Sequence, residues 1–560
     1  MNDRKDLCTA SGKTDLDEKP LEADLKSDGE AVVSSEPVET TPKEDESADY
    51  PHGPRLAIIT IALCLSVLCF SLDNTIIATA IPRITDEFHA LDDVGWYASA
   101  YLLAGCAPQL IYGKLYTFYD IKLVYLIALF IFELGSLVCG VAPNSTALIV
   151  GRAIAGLGGA GIFSGAMLII SKTVPLRQRP TYTSLIGAMF GIASVVAPLI
   201  GGALTDKATW RWCFYLNLPI GGVTVFFIVF FYQSPGRTAK PKSGWRAQLN
   251  QFDAFGTLLF VPSIVCLLLA LQFGGSKYHW ANARVVVLFV LFGVLFAGFV
   301  LVQLWKGENA TVPPRIFKVR NVWGSVIFNI TLGASFFVVV YFIPIWFQAI
   351  KGASPIKSGV MNIPMVLAVI ICTFISGGGI TASGYYGPFL LFSSVVSSVG
   401  VGLLTTFHVD SGHAAWIGYQ VLYGMGIGAG MQVCFVVVQA AVPPVDIPVA
   451  MALVVFAQTL GGAIFVSVSD TIFSNLLMQN LADAVPGLSP SIVSSTGATA
   501  LRDVIASQYL PGVLVAYNHA ITQTWYAAVA LAAVSIIGVA AVDWTISLKE
   551  KKVDAIASAA

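Results

Sequence analysis

The sequence predicts an all-α integral membrane protein of about fourteen spans, on three observations. Of 560 residues, 56% are hydrophobic and only 12% are charged, where an ordinary soluble domain carries about 25% charged residues. Apolar windows near the ~20 residues needed to cross a bilayer recur from about residue 56 to residue 545. The polar stretches between them alternate between rich and poor in Lys and Arg, as loops on opposite sides of a membrane do.

Residues 1–54 come first, with Asp3, Asp6, Asp15, Asp17, Glu18 and Glu22 set against few lysines. This composition reads as a disordered acidic cytoplasmic tail, with no short apolar region and cleavage site of the kind a removable signal peptide has. Residues 55–235 hold six windows, at about 56–82, 94–113, 121–142, 147–171, 183–204 and 212–232. Residues 236–320 hold two linker spans, at about 255–274 and 285–305, flanked by "GRTAKPKSGWR" and "KGENATVPPRIFKVR". Six more follow in 321–548, at about 323–348, 358–380, 387–407, 414–440, 447–470 and 524–545, with a long loop at about 474–522. The tail 549–560 opens on "KEKK".

With the N-terminus inside, the inner loops hold Lys114, Lys122, Lys172, Arg177, Arg179, Arg237, Lys240, Lys242, Arg246, Lys306, Arg315, Lys318 and Arg320, and the outer loops are poorer. The positive-inside rule then puts both termini in the cytoplasm. None of the nine cysteines forms a CxxC pair, so they read as small packing residues, and no metal site is expected. "GKT" at Gly12–Thr14 lacks the upstream glycine of a phosphate loop, which argues against ATP as the energy source. A net charge of -1 suggests no nucleic-acid partner.

The first window contains "LDNTIIATAIPRI", and so places Asp73 in an otherwise lipid-soluble run. A carboxylate there costs about 2.5–3.5 kcal/mol on insertion scales, and such residues are usually functional. At 1.5 Å per residue, Asp73 lies roughly 13 Å below the outer end of span 1 and Arg152 roughly 8 Å below the outer end of span 4. Glu133, in "FIFELGSLVCG" of span 3, falls at a similar depth, so the three suggest a network. Burial favours a neutral acid and a nearby guanidinium favours a carboxylate. Opposed effects of that kind suit a site that takes a proton on one side and releases it on the other. All six histidines lie outside the spans or at their ends, which leaves proton handling to carboxylates.

Span 4 reads "LIVGRAIAGLGGAGIFSGA" and span 5 "GAMFGIASVVAPLIGGALTD", the latter with Gly187, Gly191, Ala193, Ala197, Pro198, Gly201 and Gly202. Small residues at these spacings allow close helix packing. These segments, with "WRWCFYLNLPIGG", "PIWFQAIKGASPIKSGV" and "VVFAQTLGGAIFVSVSD", resemble the major facilitator superfamily. The resemblance is to its fourteen-span drug:proton antiporter branch, and within it to fungal toxin and multidrug efflux pumps. It implies two six-helix bundles plus two extra central spans, with the Ala197-Pro198-x-x-Gly201-Gly202 run as the antiporter motif. It also implies a cavity between the bundles near the midplane. Candidate contacts there are Tyr101, Gln109, Asn217, Asn329, Phe336, Phe337, Tyr341, Gln432 and Gln458. One departure from the family pattern is Thr117 in "GKLYTFYDIK", where an Asp is usual, with Asp120 as a possible substitute.

The expected function is proton-coupled antiport, exporting small, largely apolar organic compounds such as a secondary metabolite, toxin or drug. The alternatives are proton-coupled import of a nutrient or chelate and, in another class, a non-transporting membrane sensor. The expectation includes no enzymatic activity, no cofactor beyond the proton gradient, and no obligate protein partner besides the lipid bilayer and the organic substrate. The expected location is the plasma membrane, with the vacuolar membrane as the alternative. The orientation is testable in a background with exposed native cysteines removed. A cysteine at Ser243 is expected to resist an impermeant thiol reagent in intact cells, and one at Ser495 to react; the reverse pattern inverts the topology.

Overall fold

The computed structural model of the chain describes residues 50–90, 93–234, 252–275, 278–485 and 501–548. The acidic tail before residue 50, most of the "GRTAKPKSGWR" loop, the "PGLSPSIVSSTG" stretch, the C-terminal tail, and Ser243 and Ser495 lie outside the described residues. Among the described residues the secondary structure is helical, apart from one isolated bridge between Gly274 and Tyr278.

Thirteen helical segments are long and apolar enough to cross a membrane. The fourteenth is span 2, which is built from two shorter helices, Val94–Cys106 and Gln109–Phe118. Pro108 between them has no N–H to donate and its ring crowds the preceding turn, so the helix restarts there. Span 1 is Pro54–Phe88, span 3 Ile121–Gly140, span 4 Ser145–Thr173 and span 5 Arg179–Lys207. Span 6 joins Trp212–Tyr215 to Asn217–Phe231, and the linker spans 7 and 8 are Ala254–Phe273 and Ala283–Lys306. Span 9 is Arg320–Ala349, span 10 joins Pro355–Met361 to Ile363–Ser383, and span 11 is Gly387–Leu404. Span 12 joins His413–Gly430 to Val433–Ala441, span 13 is Ile447–Ala484 and span 14 is Leu510–Ala541.

Helices at the long loop between spans 13 and 14 run further than hydropathy suggests. Span 13 continues into the stretch read as loop because Leu477 and Leu481 keep a buried stripe there, although Asn475, Gln479, Asn480 and Asp483 lower the mean hydropathy. Span 14 likewise begins early, burying Val513, Leu514 and Tyr517. A window average registers composition, whereas a helix needs only one apolar face once it has a neighbour.

Packing repeats itself along the chain. Span 4 lies against spans 2 and 3, and span 12 against spans 10 and 11; span 1 lies against spans 5 and 6, and span 9 against spans 13 and 14. The correspondence extends to single residues. Gly156 abuts the carbonyl of Tyr101 and Gly424 that of Met365; Gly135 abuts Ala155 and Gly400 abuts Tyr423. A side chain at any of these glycines would meet backbone, so the glycines set how closely the helices approach. The two repeats meet along span 5 with span 10, and span 2 with span 13. At the latter, a Cβ on Gly113 would stand 2.9 Å from the Ala452 methyl and 3.3 Å from the Pro448 carbonyl.

Large side chains such as Phe130, Phe230, Leu258, Leu301 and Trp305 are exposed around the outside. Such a surface is stable against lipid and aggregates in water. The linker spans pair with each other, and the start of span 7 is tied to the end of span 8 by Asp253, which has φ 51° and is fully buried. Its carboxylate accepts from the Gly256 amide, from Gln303 at 2.7 Å and from Thr311, and pairs with Lys306 at 3.2 Å.

Candidate functional site

Asp73 and Arg152 meet. Arg152 Nη1 donates to the Asp73 carboxylate at 2.6 Å and to its backbone carbonyl at 3.2 Å, and both side chains are 0% exposed. Span 4 brings Arg152 to this depth because Gly151 and Gly156 let it press onto spans 3 and 2: Gly151 faces Cys139, and Gly156 the Tyr101 carbonyl. Arg152 Nε donates to the Tyr97 carbonyl at 2.9 Å. Its guanidinium lies 4.2 Å from the centroid of the Tyr101 ring, a favourable site for a cation out of water. Nη2 has no hydrogen-bond partner among the described residues.

The other oxygen of Asp73 accepts from Asn217 Nδ2 at 3.1 Å, and the same nitrogen lies 3.1 Å from Ser136 Oγ. Asn217 is placed by the break in span 6, where it opens the second helix. Glu133 of span 3 packs onto Gly221, one turn beyond Asn217 in span 6. Neither of its carboxyl oxygens has a hydrogen-bond partner among the described residues. Among the described residues the site thus contains one paired carboxylate, one carboxyl without a hydrogen-bond partner and one guanidinium.

Two residues read from the sequence as cargo contacts belong to this arrangement in the structure. Asn217 holds Asp73, and Tyr101 lies under Arg152 with its hydroxyl donating to the Phe70 carbonyl at 3.2 Å. The other candidate contacts are dispersed. Gln432 packs against Gly187 across the junction of the repeats, Gln458 against Gly333, and Phe337 against Gly462. Phe336 is half-buried, Tyr341 is exposed, Gln109 has an unpaired Nε2, and Asn329 is buried with both amide atoms unpartnered among the described residues. Ser136 and the Tyr97 carbonyl were not legible in the sequence, since a lone Ser or a backbone oxygen in an apolar span carries no pattern.

The small residues of span 5 divide between two neighbours. Gly201 faces Ile76 and Thr79 of span 1, and the fully buried Ala193 and Ala197 join the same cluster as Ile76. Gly187 faces Gln432, Gly191 faces Ile370, Gly202 faces Ile356, and Pro198 lies 3.5 Å from where a Cβ on Gly359 would stand. Span 5 therefore has one edge on its own repeat and the other on the opposite one. Between spans 2 and 3, Asp120 accepts from the Leu123 amide at 3.1 Å as the cap of span 3, and Thr117 donates to the Gly113 carbonyl in its own helix at 2.8 Å. Asp120 thus serves its own helix start. An ion pair does close the start of span 13, where Arg315 donates twice to Asp446, at 2.5 and 2.9 Å.

A chain of two packed six-span repeats with a buried ion pair inside the first has the architecture of a membrane transporter. The profile described as Major Facilitator Superfamily matches residues 63–466, and the chain belongs to that family. It is 54% identical, over 92% of its length and 96% of the relative's, to a protein named MFS-type efflux pump MFS1 from Arthroderma benhamiae. It is 54% identical, over 90% of its length and 94% of the relative's, to one named efflux pump roqT from Penicillium rubens. It is 50% identical, over 94% and 93%, to one named MFS-type transporter astH from Aspergillus oryzae. Among solved structures, the proton:xylose symporter XylE shares the fold with a TM-score of 0.55 at 14% identity, covering 85% of this chain and 94% of that one. The human organic anion transporter MFSD10 does so with a TM-score of 0.55 at 12% identity, covering 86% and 100%.

Two outcomes follow from this geometry. Arg152→Leu strands the Asp73 carboxylate and Asp73→Leu strands the guanidinium, each expected to cost about 3–5 kcal/mol. The double variant is expected to be more stable than the sum of the single losses allows, as read by thermal unfolding of the detergent-solubilised protein. Gly201→Leu is expected to wedge span 5 from span 1, so that the protein reaches the membrane but loses transport. Normal flux through that variant would show that the contact with Ile76 and Thr79 does not govern conformational exchange.

Proposed function

We propose that this chain is a proton-coupled antiporter that exports small, largely apolar organic compounds. The observation that carries the reading is the fully buried Asp73–Arg152 pair, with Asn217 on the second oxygen and Glu133 beside it. Protonating Asp73 removes one charge of the pair and leaves Arg152 to the Tyr101 ring and the Tyr97 carbonyl. The two protonation states therefore favour different arrangements of spans 1, 2, 4 and 6. A ligand drives a conformational equilibrium only by its differential affinity for the two states, and a proton on Asp73 supplies such a difference. The relatives named as efflux pumps support the outward direction.

The proposed cycle has proton and cargo bound in alternation, with the proton gradient as the energy source and no bound cofactor. The proposed location is the plasma membrane with both termini cytoplasmic, on the positive-inside distribution of Lys and Arg. The proposed cargo is a toxin, secondary metabolite or drug-like compound.

The test uses purified protein in proteoliposomes with an imposed pH gradient and the lipophilic dye rhodamine 6G as probe. Dye is expected to move against the proton flux, and Asp73→Asn to abolish gradient-driven movement while equilibrium dye binding persists. Asparagine keeps the shape and one acceptor for Arg152 but cycles no proton. Full pH-driven flux in Asp73→Asn would overturn the coupling assignment, and dye moving with the proton flux would identify an importer.

A further inference from the structure

Four phenylalanines form a continuous run of ring contacts between the repeats. Phe70 of span 1 meets Phe190 of span 5 edge to face, at 5.9 Å between centroids and 81° between planes. Phe190 meets Phe163 of span 4 at 5.3 Å and 88°, and Phe163 meets Phe435 of span 12 at 5.8 Å and 81°. All three spacings fall within the ~4.5–7 Å of favourable aromatic pairs. The run begins at the ion pair, because Phe70 also stacks at 6.1 Å on the Tyr101 ring that lies under Arg152. It ends in the opposite repeat.

Phe163 and Phe435 are buried, whereas Phe70 and Phe190 are half-buried. Phe190 stands between Gly187 and Gly191, whose Cα atoms face Gln432 and Ile370 of the other repeat. Its open surface therefore borders the junction along which the two repeats must part. Gln432 lies three residues before Phe435, at the break between the two helices of span 12. Its side chain is 9% exposed and its Oε1 has no hydrogen-bond partner among the described residues. An amide oxygen buried without a donor is costly, and a donor on a bound molecule removes that cost.

We infer that Phe70 and Phe190, backed by the buried Phe163 and Phe435, form the cargo-binding surface, and that it takes a flat, conjugated ring system carrying a hydroxyl or amine donor directed at Gln432 Oε1. This assignment rests on the transport reading above. It makes the cargo class narrower than apolarity alone, since rings in edge-to-face array favour an aromatic guest over an aliphatic one of equal area. Tyr101, shared between Phe70 and Arg152, makes the cargo surface and the proton site neighbours across one ring.

The test measures equilibrium binding, with no pH gradient, to the purified full chain, using fluorescent 1-hydroxypyrene and its donor-free counterpart 1-methoxypyrene. Wild type is expected to bind the hydroxyl compound more tightly. Phe190→Leu and Phe70→Leu are expected to weaken both compounds by about two- to tenfold, the range that aromatic pairing contributes beyond area. Phe190→Tyr, which keeps the ring, is expected to bind as wild type. Gln432→Leu is expected to erase the preference for 1-hydroxypyrene and leave 1-methoxypyrene unchanged.

Unchanged binding in the two leucine variants overturns the surface, as does equal binding of the two pyrenes by wild type. Weak binding in Phe190→Tyr also overturns it, because the ring would then not be what binds. If the pattern appears while Asp73→Asn still transports, the proton reading fails and the binding surface stands. If the pattern is absent while pH-driven export persists, the surface alone fails.

Discussion

Arg152 holds its guanidinium where it is wholly shielded from solvent. Its N–H groups and the faces of its guanidinium need electrons from the protein, and spans 1 and 2 supply them. Asp73 comes from span 1, the Tyr97 carbonyl and the Tyr101 ring from span 2, and Asn217 from span 6 steadies the carboxylate. None of these groups reaches the others unless the helix backbones nearly touch. The glycines of span 4 permit that, above all Gly156 and Gly158, where its backbone lies directly on those of spans 2 and 3. Helix packing and ion pair are thus one constraint: the close approach is tolerable because it is small-residue packing, and it is required because the charge must be met.

The second repeat keeps the scaffold and drops the charge. Gln420 there occupies the place of Arg152, and its Nε2 donates to the Met361 carbonyl at 3.1 Å, as Arg152 Nε donates to the Tyr97 carbonyl. Ser335 of span 9 makes a neutral hydrogen bond to the Tyr423 hydroxyl at 3.1 Å. The second repeat also carries buried amides without partners among the described residues, at Asn329, Gln432 and Gln439. One scaffold used twice therefore differs in its chemistry at this position, with an ion pair in the first copy and a neutral amide in the second. A rocking motion between the copies changes the surroundings of both at once, because span 5 and span 10 form the seam between them.

Where span 6 ends and spans 3 and 13 start, side chains either meet the unpaired groups of the helix terminus or pair with a neighbouring charge. Asp120 caps the start of span 3, Lys122 donates to the Val229 and Tyr232 carbonyls at the end of span 6, and Asp446 before span 13 is held by Arg315. Thr117, standing where a carboxylate is usual in the family, turns to its own backbone. At this point span 2 meets span 13 through Gly113 and backbone contact rather than through a charge on residue 117.

The span count, the all-helical class and the family were legible in the sequence because they depend on composition and local pattern. Twenty apolar residues cross a bilayer whatever surrounds them, and an acidic residue such as Asp73 in such a run is conspicuous because its burial is expensive. The shared depth of Asp73, Arg152 and Glu133 could also be counted along the chain, since the helix rise is constant. Rotation about the helix axis could not. Which face of span 6 points inward decides that Asn217 serves Asp73, and the stacking of Phe70, Phe190, Phe163 and Phe435 depends on four helices from two repeats arriving at one place. A phenylalanine in an apolar span looks the same facing lipid, core or cargo, because its hydropathy does not record direction. The extension of spans 13 and 14 past their apolar windows was hidden for the same reason, since a one-sided stripe becomes a helix only when a neighbour covers it.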